Sequence, residues 1–187
     1  TVAGGELFIG RIGGLRYRAG GDSVADFRIS GNVLIAMGVL VDKIAAVDAI
    51  AHRGKIPMEW RNAAIKNSYL LRHPPQVESH ILPLEFCDTL VAGRNSDGGP
   101  PRPSFYRACD HYFGPSAGRG FVDTISKLLL DEHLEIPGAV EFLDRARAST
   151  RNRRFASTKR GRIGLVPPRS QPNKIICILL GCTVPML

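Results

Sequence analysis

Three neighbouring side chains, Cys109, Asp110 and His111, are of the types that nucleophilic catalysis uses: a thiol, a carboxylate and an imidazole. Such catalysis needs a base within hydrogen-bond reach of the nucleophile and a third group that orients the base. Residues adjacent in sequence rarely converge in this way, so the spacing favours a surface or half-buried turn. Glu78-Ser79-His80 leads to the same interpretation. We therefore expect no catalytic residue and no enzymatic activity.

Metal and phosphate sites also have characteristic spacings. Cys177 and Cys182 lack the close ligand pairs of a metal site, and core packing is the commoner role of an unpaired cysteine. Residues 10–14 and 161–164 are rich in glycine, but neither contains Gly-Lys-Ser/Thr or leads into a predicted helix. We expect turns at both places, and no metal or cofactor.

The basic residues are concentrated in one window. Between Arg145 and Arg162 there are eight basic residues and no acidic one, whereas the other 17 basic residues balance the 17 acidic ones. Such a window can neutralise phosphates on nucleic acid. It can also complement a helix C-terminus, deter strand pairing at a sheet edge or contact another protein. A solvated face or a protein-interaction surface is the main hypothesis for this window, and a nucleic-acid-binding module using residues 145–162 is the alternative.

The bulk composition is that of a soluble globular protein. The 187 residues are 44% hydrophobic and 22% charged, which suits one domain. Four cysteines are few for a secreted disulfide framework, and no signal peptide opens the chain. The apolar runs 33–41 and 175–187 are shorter than the roughly 20 residues that span a bilayer. We expect a cytoplasmic protein without a membrane span, and the first residue, Thr1, indicates a fragment of a larger protein.

Local patterns change from strand to helix and back along the chain. The apolar run over 33–44 is typical of a strand buried on both faces. Helices are predicted after Pro57 and over 84–92, 121–130 and 139–148, with a loop rich in proline and glycine over 95–104. Short strands are predicted over 153–158, 162–166 and 174–180. The sequence therefore predicts a single α+β region over 1–187, with strands at about 15–45, a helical middle at about 55–150 and C-terminal strands at about 153–187. In it, strands from both chain ends form a small sheet or barrel around a central helical insertion.

The C-terminal stretch carries an ordered set of motifs. Arg153-Arg154-Phe155 is followed by Gly-Arg-Ile-Gly-Leu-Val-Pro over 161–167, then by Leu-Leu-Gly over 179–181 and Val-Pro over 184–185. This order resembles the closing segment of fungal heterokaryon-incompatibility proteins. Upstream, Ala-Gly-Gly-Asp over 19–22 and Val-Asp-Lys-Ile over 41–44 are similar to the family's Ala-Gly turn and apolar strand. Where the family commonly has Gly-Asp, this chain has Asn173-Lys174, so an ammonium replaces a carboxylate.

The resemblance is to the region that follows the family's defining domain. That N-terminal domain, with its Trp-Leu-Asp and Cys-Ile-Asn-Gln signatures, is not in this sequence, so its activity is not carried over. The resemblance implies fungal self/non-self recognition with associated cell death. It also implies a regulatory or partner-binding module that contacts a protein partner or the missing N-terminal domain. We predict that any contact surface includes Arg153, Arg154, Arg160 and Arg162.

Overall fold

A computed structural model of the chain describes residues 21–72, 82–115, 117, 120–129 and 136–181. Eight strands and five helices lie in these ranges. The strands are β1 (Phe27–Ser30), β2 (Val33–Ala36), β3 (Gly38–Ile50), β4 (Lys55–Pro57), β5 (Phe121–Asp123), β6 (Arg154–Thr158), β7 (Ile163–Val166) and β8 (Ile175–Leu179). The helices are α1 (Glu59–Arg72), α2 (Leu84–Leu90), α3 (Pro103–Phe113), α4 (Thr124–Leu129) and α5 (Ala139–Thr150).

A curled antiparallel sheet joins the two ends of the described chain. Its strand order is β7-β6-β3-β8, so one early strand lies among three late ones. The first half of β3 pairs with β8 from Gly38 to Lys43, and the second half pairs with β6 from Ile44 to Ile50. Shifts in register bend β3 on both sides, as β-bulges do. The predicted α+β fold, with strands from both ends in one sheet, is confirmed.

The start of β3 continues a hairpin that extends from the sheet. β1 and β2 pair antiparallel around a turn at Gly31, which has a φ of 60°. Met37 joins β2 to β3 in one extended run, because its N–H donates to the Asp26 carbonyl at 2.9 Å and its carbonyl accepts from the Leu180 N–H at 3.0 Å. β1 and the end of β8 therefore lie one after the other along the same long strand.

The helices cover one face of the sheet and form the main core with it. Six aromatic side chains in this core are fully buried: Trp60, Phe86, Phe105, Phe113, Phe142 and Phe155. Phe155 of β6 stacks on Trp60 of α1, with ring centroids 5.7 Å apart, and meets Phe86 of α2 edge-on at 6.0 Å. The Trp60 Nε1–H also donates to the Ala49 carbonyl at 2.9 Å, which fixes α1 on β3.

Several local predictions hold and others do not. The three C-terminal strands and the helices at 59–72, 84–90 and 139–150 lie where the sequence predicted them. The helix predicted over 121–130 begins instead as strand β5, because residues 121–123 pair with β4. Helix α3 was not predicted. The apolar run at 33–44 is extended, but most of its first half is exposed.

Candidate interaction surface

The four predicted contact arginines lie in two pairs at opposite ends of β6. Arg153 and Arg154 are at its beginning, and Arg160 and Arg162 are in and after the turn to β7. Five strand residues span roughly 17 Å at about 3.3 Å per residue. The four side chains therefore do not form one contiguous patch.

Arg154 makes internal contacts. Its side chain is half-buried; Nε donates to the Asp48 carbonyl at 2.7 Å and Nη1 donates to the Ser170 carbonyl at 3.3 Å. These bonds tie β6 to β3 and to the loop before β8. Arg153 is also half-buried, and its backbone bonds Thr150 and Ala51. The structure therefore assigns Arg154 a role in connecting elements of the sheet.

The turn between β6 and β7 has a tightly bonded backbone and exposed cations. The Thr158 N–H donates to the Arg162 carbonyl at 2.8 Å, and the Arg162 N–H donates to the Thr158 hydroxyl at 3.1 Å. Gly161 closes the turn with a φ of 77°, a left-handed conformation that glycine adopts without a steric cost. The side chains of Lys159, Arg160 and Arg162 are exposed around this turn.

Two further cations join this turn through strand pairing. The Lys159 N–H donates to the Lys43 carbonyl at 2.8 Å, and the Ile44 N–H donates to the Lys174 carbonyl at 2.9 Å. Lys43 and Lys174 are exposed at the same end of the sheet. We call these five residues the basic rim: Lys43, Lys159, Arg160, Arg162 and Lys174.

The cations of the basic rim produce a positive field at the protein surface, because no described carboxylate forms an ion pair with them. None of its five side chains forms an ion pair within the part of the chain that the structure describes. A backbone hydrogen bond joins Lys159 to Lys43, and Lys174 is bonded to Ile44, the residue after Lys43. Like charges gathered at one end of a sheet add to a common positive field. Such a surface attracts an anionic group or an acidic protein segment.

Asp42 lies behind the rim and is 4% exposed. Its Oδ1 accepts from the Lys43 N–H at 2.7 Å, whereas Oδ2 is buried and has no hydrogen bond of normal geometry among the described residues. Burial alone would raise the pKa of this carboxyl group. The Thr158 hydroxyl, the Lys43 and Arg160 N–H groups and the Arg160 charge outweigh burial, so the pKa lies below its ordinary 3.8. Asp42 is therefore an anion that helps to hold the cationic turn in place.

The other cations of the predicted basic window are dispersed on α5. Arg145 is half-buried and donates from Nε to the Arg94 carbonyl at 3.3 Å, and Arg147 forms an ion pair with Asp144 at 3.2 Å. Burial and the nearby Arg94 charge lower the pKa of Arg145. The window that is contiguous in sequence is thus not contiguous in space. Lys43 and Lys174 were missed because only long-range strand pairing brings them to the turn.

The structure does not bring the candidate catalytic residues together. Cys109 is 2% exposed and faces Cys87 in the core, whereas Asp110 and His111 are exposed. Burial, followed by the hydrogen bond with Cys87, raises the pKa of the Cys109 thiol well above its ordinary value. Cys177 is half-buried. Residues 10–14, 78–80 and Cys182 lie outside the described residues. Gly161 lies in the predicted turn, whereas residues 163 and 164 already belong to β7.

One shallow cleft of about 510 Å³ lies beside the beginning of α1. Its polar lining residues are Glu59, Arg61 and Asn62, and the others are Met58, Pro115, Ala117 and Gly120. Across the described ranges, no group of three histidine, cysteine or acidic side chains is placed to hold a metal ion. None of the helices described is both long enough and apolar enough to cross a membrane.

Comparison of the chain with protein-family models, with curated proteins and with solved structures found no match. The resemblance to heterokaryon-incompatibility proteins therefore remains a prediction from the sequence motifs.

Proposed function

We propose that this chain is a non-catalytic regulatory or partner-binding module of a heterokaryon-incompatibility protein. It would act in the cytoplasm, in fungal self/non-self recognition and the cell death that accompanies it. The basic rim is the observation that carries the proposed mode of action. Its five exposed cations come from three segments of the sheet, and none of their side chains forms an ion pair among the described residues. The motif order of the C-terminal segment supports the family.

The partner that fits this surface is an acidic protein segment, either in another protein or in the missing N-terminal domain. Complementary charge speeds encounter and selects against basic partners. The cations project from strands and from a turn closed by backbone hydrogen bonds. Binding therefore requires ordering of the side chains but little ordering of the backbone, which lowers its entropic cost.

The direct test is titration of a fluorescent oligoglutamate peptide with the chain, followed by fluorescence anisotropy. The double variant Arg160→Glu/Arg162→Glu is compared with Lys66→Glu/Arg107→Glu, which changes the net charge equally at exposed sites on α1 and α3. We expect the rim variant to weaken binding at least tenfold, a loss of about 1.4 kcal/mol or more, and the control to bind nearly as the unmodified chain does. Equal losses in the two variants would contradict a localised site.

Nucleic-acid binding is the second candidate, because exposed cations of the rim can also neutralise phosphates. Its mark is a steep fall in affinity with salt, with a slope of about −0.9 for each phosphate contact on duplex DNA. Single- and double-stranded oligonucleotides are therefore titrated in parallel with the peptide. Tighter binding to an oligonucleotide, with a steep salt slope that the rim variant reduces, would replace the protein-partner proposal. Binding to neither probe at low salt would exclude both.

Family membership has a separate test. Sequencing of full-length transcripts across the locus should show a continuous reading frame upstream of Thr1 that encodes the Trp-Leu-Asp and Cys-Ile-Asn-Gln signatures. A transcript without them would remove the assignment to heterokaryon incompatibility and leave the rim as a binding surface of another kind of protein.

A further inference from the structure

The exposed apolar side chains of this protein are concentrated in one segment. Twelve large apolar residues are exposed in the described ranges, and nine of them lie between Val24 and Leu40. We call residues 24–40 the β-arm, which contains β1, β2 and the start of β3. The remaining three, Leu84, Val140 and Ile175, lie elsewhere along the chain.

Both faces of the β-arm are apolar. The register pairs Ile29 with Leu34 on one face, which Phe27 shares, while Val33 and Ile35 alternate onto the other. A run of this kind is typical of a strand covered on both sides. From Phe27 to Leu40, however, the large apolar side chains are 42–71% exposed. The sequence of the β-arm is thus suited to a more buried environment than the described residues of the chain provide.

The apolar area that the β-arm exposes on its two faces is similar to the area that one partner contributes to a protein interface. Eight large apolar side chains from Phe27 to Leu40 leave on the order of 100 Å² each open, or roughly 800 Å² together, which equals one partner's share of a standard interface. Four of these side chains lie on each face, so each face exposes roughly 400 Å², which is within the about 300–600 Å² of the largest apolar patch on a typical monomer. The β-arm therefore reaches one partner's share of a standard interface only when both of its faces are counted.

One edge of the β-arm is available for strand pairing. The Asp26 carbonyl faces the inside of the hairpin, since it accepts from the Met37 N–H. Backbone groups alternate along a strand, so those of Phe27 and Ile29 point away from β2. Within the described residues these groups have no strand partner. The edge can extend the sheet by pairing with another strand.

The charges of the β-arm fit a second copy of the same arm. Asp26 and Arg28 are its only charged residues, and they lie on either side of Phe27. Antiparallel pairing of β1 with its copy about a two-fold axis at Phe27 sets Asp26 of each copy opposite Arg28 of the other. The outward backbone groups of Phe27 then pair with those of the second Phe27. We propose that the β-arm is a self-association surface and that its occupant is a second copy of this chain in this register.

The association is isologous, so one patch supplies both sides of the interface. Opposite charges directly across an antiparallel pair stabilise it, whereas like charges destabilise it. Pairing displaced by one residue would place Phe27 opposite Arg28 and lose both charge contacts. The proposed register is therefore specified by charge, while backbone hydrogen bonds and the apolar side chains beside the seam supply the attraction. The β-arm and the basic rim share no residue. The self-association proposal is therefore tested independently of the proposed function.

Sedimentation equilibrium of the full chain over a range of concentrations tests the association. We expect a monomer–dimer equilibrium, and we expect Ile29→Lys to raise the dissociation constant about tenfold or more. Leu84→Lys places the same charge at an exposed site on α2 and should leave the equilibrium unchanged. Circular dichroism checks that each variant is folded. A chain that remains monomeric at high concentration, or that binds lipid vesicles as a monomer, would overturn the proposal.

Charge exchange tests the register. Asp26→Arg and Arg28→Asp should each weaken the dimer, because each sets like charges opposite one another. The double variant Asp26→Arg/Arg28→Asp restores opposite charges in the two-fold arrangement and should recover most of the lost affinity. A double variant that associates no better than the single variants would overturn the pairing about Phe27.

Discussion

The buried carboxylate of Asp42 faces the backbone N–H of Arg160 behind the turn that connects β6 to β7. The negative charge stabilises this cationic turn from the inside, where a binding partner does not meet it. The exposed side of the turn consequently keeps its positive field. This arrangement separates the group that holds the turn from the groups that are available for contact.

The contribution of Asp42 to stability depends on pH in a defined direction. Its folded-state pKa lies below 3.8, so the stabilisation is present above about pH 4 and is lost as the pH falls through the folded pKa. We expect Asp42→Asn to lower the Tm at pH 7 by about 5 °C, corresponding to about 1.5 kcal/mol for one charge-assisted hydrogen bond. Below pH 3 the difference between the two proteins should shrink. Thermal melts at pH 7, 5 and 3 measure the difference in Tm between the unmodified protein and Asp42→Asn. The same difference at all three pH values would contradict the role of the ionised carboxylate.

Arg154 is expected to contribute to stability, in contrast to the rim residues. Arg154→Ala removes the guanidinium bonds to the Asp48 and Ser170 carbonyls, which should cost about 1.5–3 kcal/mol. Arg162→Ala is the matched control, because that side chain is exposed, and it should cost less than about 0.5 kcal/mol. Urea unfolding of the two variants measures both values. Equal losses would contradict the structural role of Arg154.

The hydrogen bond from Tyr106 to Asp88 raises the pKa of the Tyr106 phenol. The hydroxyl donates to Asp88 Oδ1 at 2.7 Å, and this bond, with burial, raises the pKa of Tyr106 to about 12. The bond therefore stabilises the fold at neutral pH and is lost as the pH rises from about 10 to about 12.

We expect Asp88→Asn to lower the pKa of Tyr106 towards 10, because the carboxylate charge is removed. Asp144→Asn on α5 is the control and should leave that pKa unchanged. The difference in tyrosinate absorbance between each protein and its Tyr106→Phe derivative measures it. An unchanged titration in Asp88→Asn would show that the carboxylate does not cause the shift.

Phe155 connects the sheet to the helices, so its truncation should be severe. The ring is fully buried against Trp60 and Phe86. Phe155→Ala should cost about 3–5 kcal/mol, through lost burial and the cavity that remains. Val140→Ala on α5, where the side chain is 51% exposed, should be nearly neutral. Similar values for the two variants in denaturant unfolding would contradict this description of the core.

Local sequence patterns predicted much of the fold because several elements have strong local signals. The C-terminal strands are short apolar segments separated by turn residues, and α5 follows an Ile-Pro-Gly segment. Helix α3 was missed because Pro103 was interpreted as part of a loop, although proline also favours the first turn of a helix. Strand β5 has only three residues and depends on pairing with β4, more than sixty residues away in sequence, so no local pattern indicates it.

The candidate site was predicted only in part for the same reason. Arg160 and Arg162 lie in the basic window, but Lys43 and Lys174 approach them only when β3 lies between β6 and β8. Arg154 has the same charge as its neighbours in the window, and only its position on β6 directs it inward to backbone carbonyls. The sequence shows which residues are charged, but the tertiary fold decides which of these side chains are exposed and which lie next to one another.

The most direct test of the basic rim as a binding surface is residue-specific NMR of the isotopically labelled chain during titration with the oligoglutamate peptide. We predict that the amide shifts which change most will belong to Lys43, residues 158–162 and residues 173–174, and that the spectrum of Arg160→Glu/Arg162→Glu will barely respond. Changes concentrated elsewhere, or no change at low salt, would contradict the assignment of the basic rim as the contact surface.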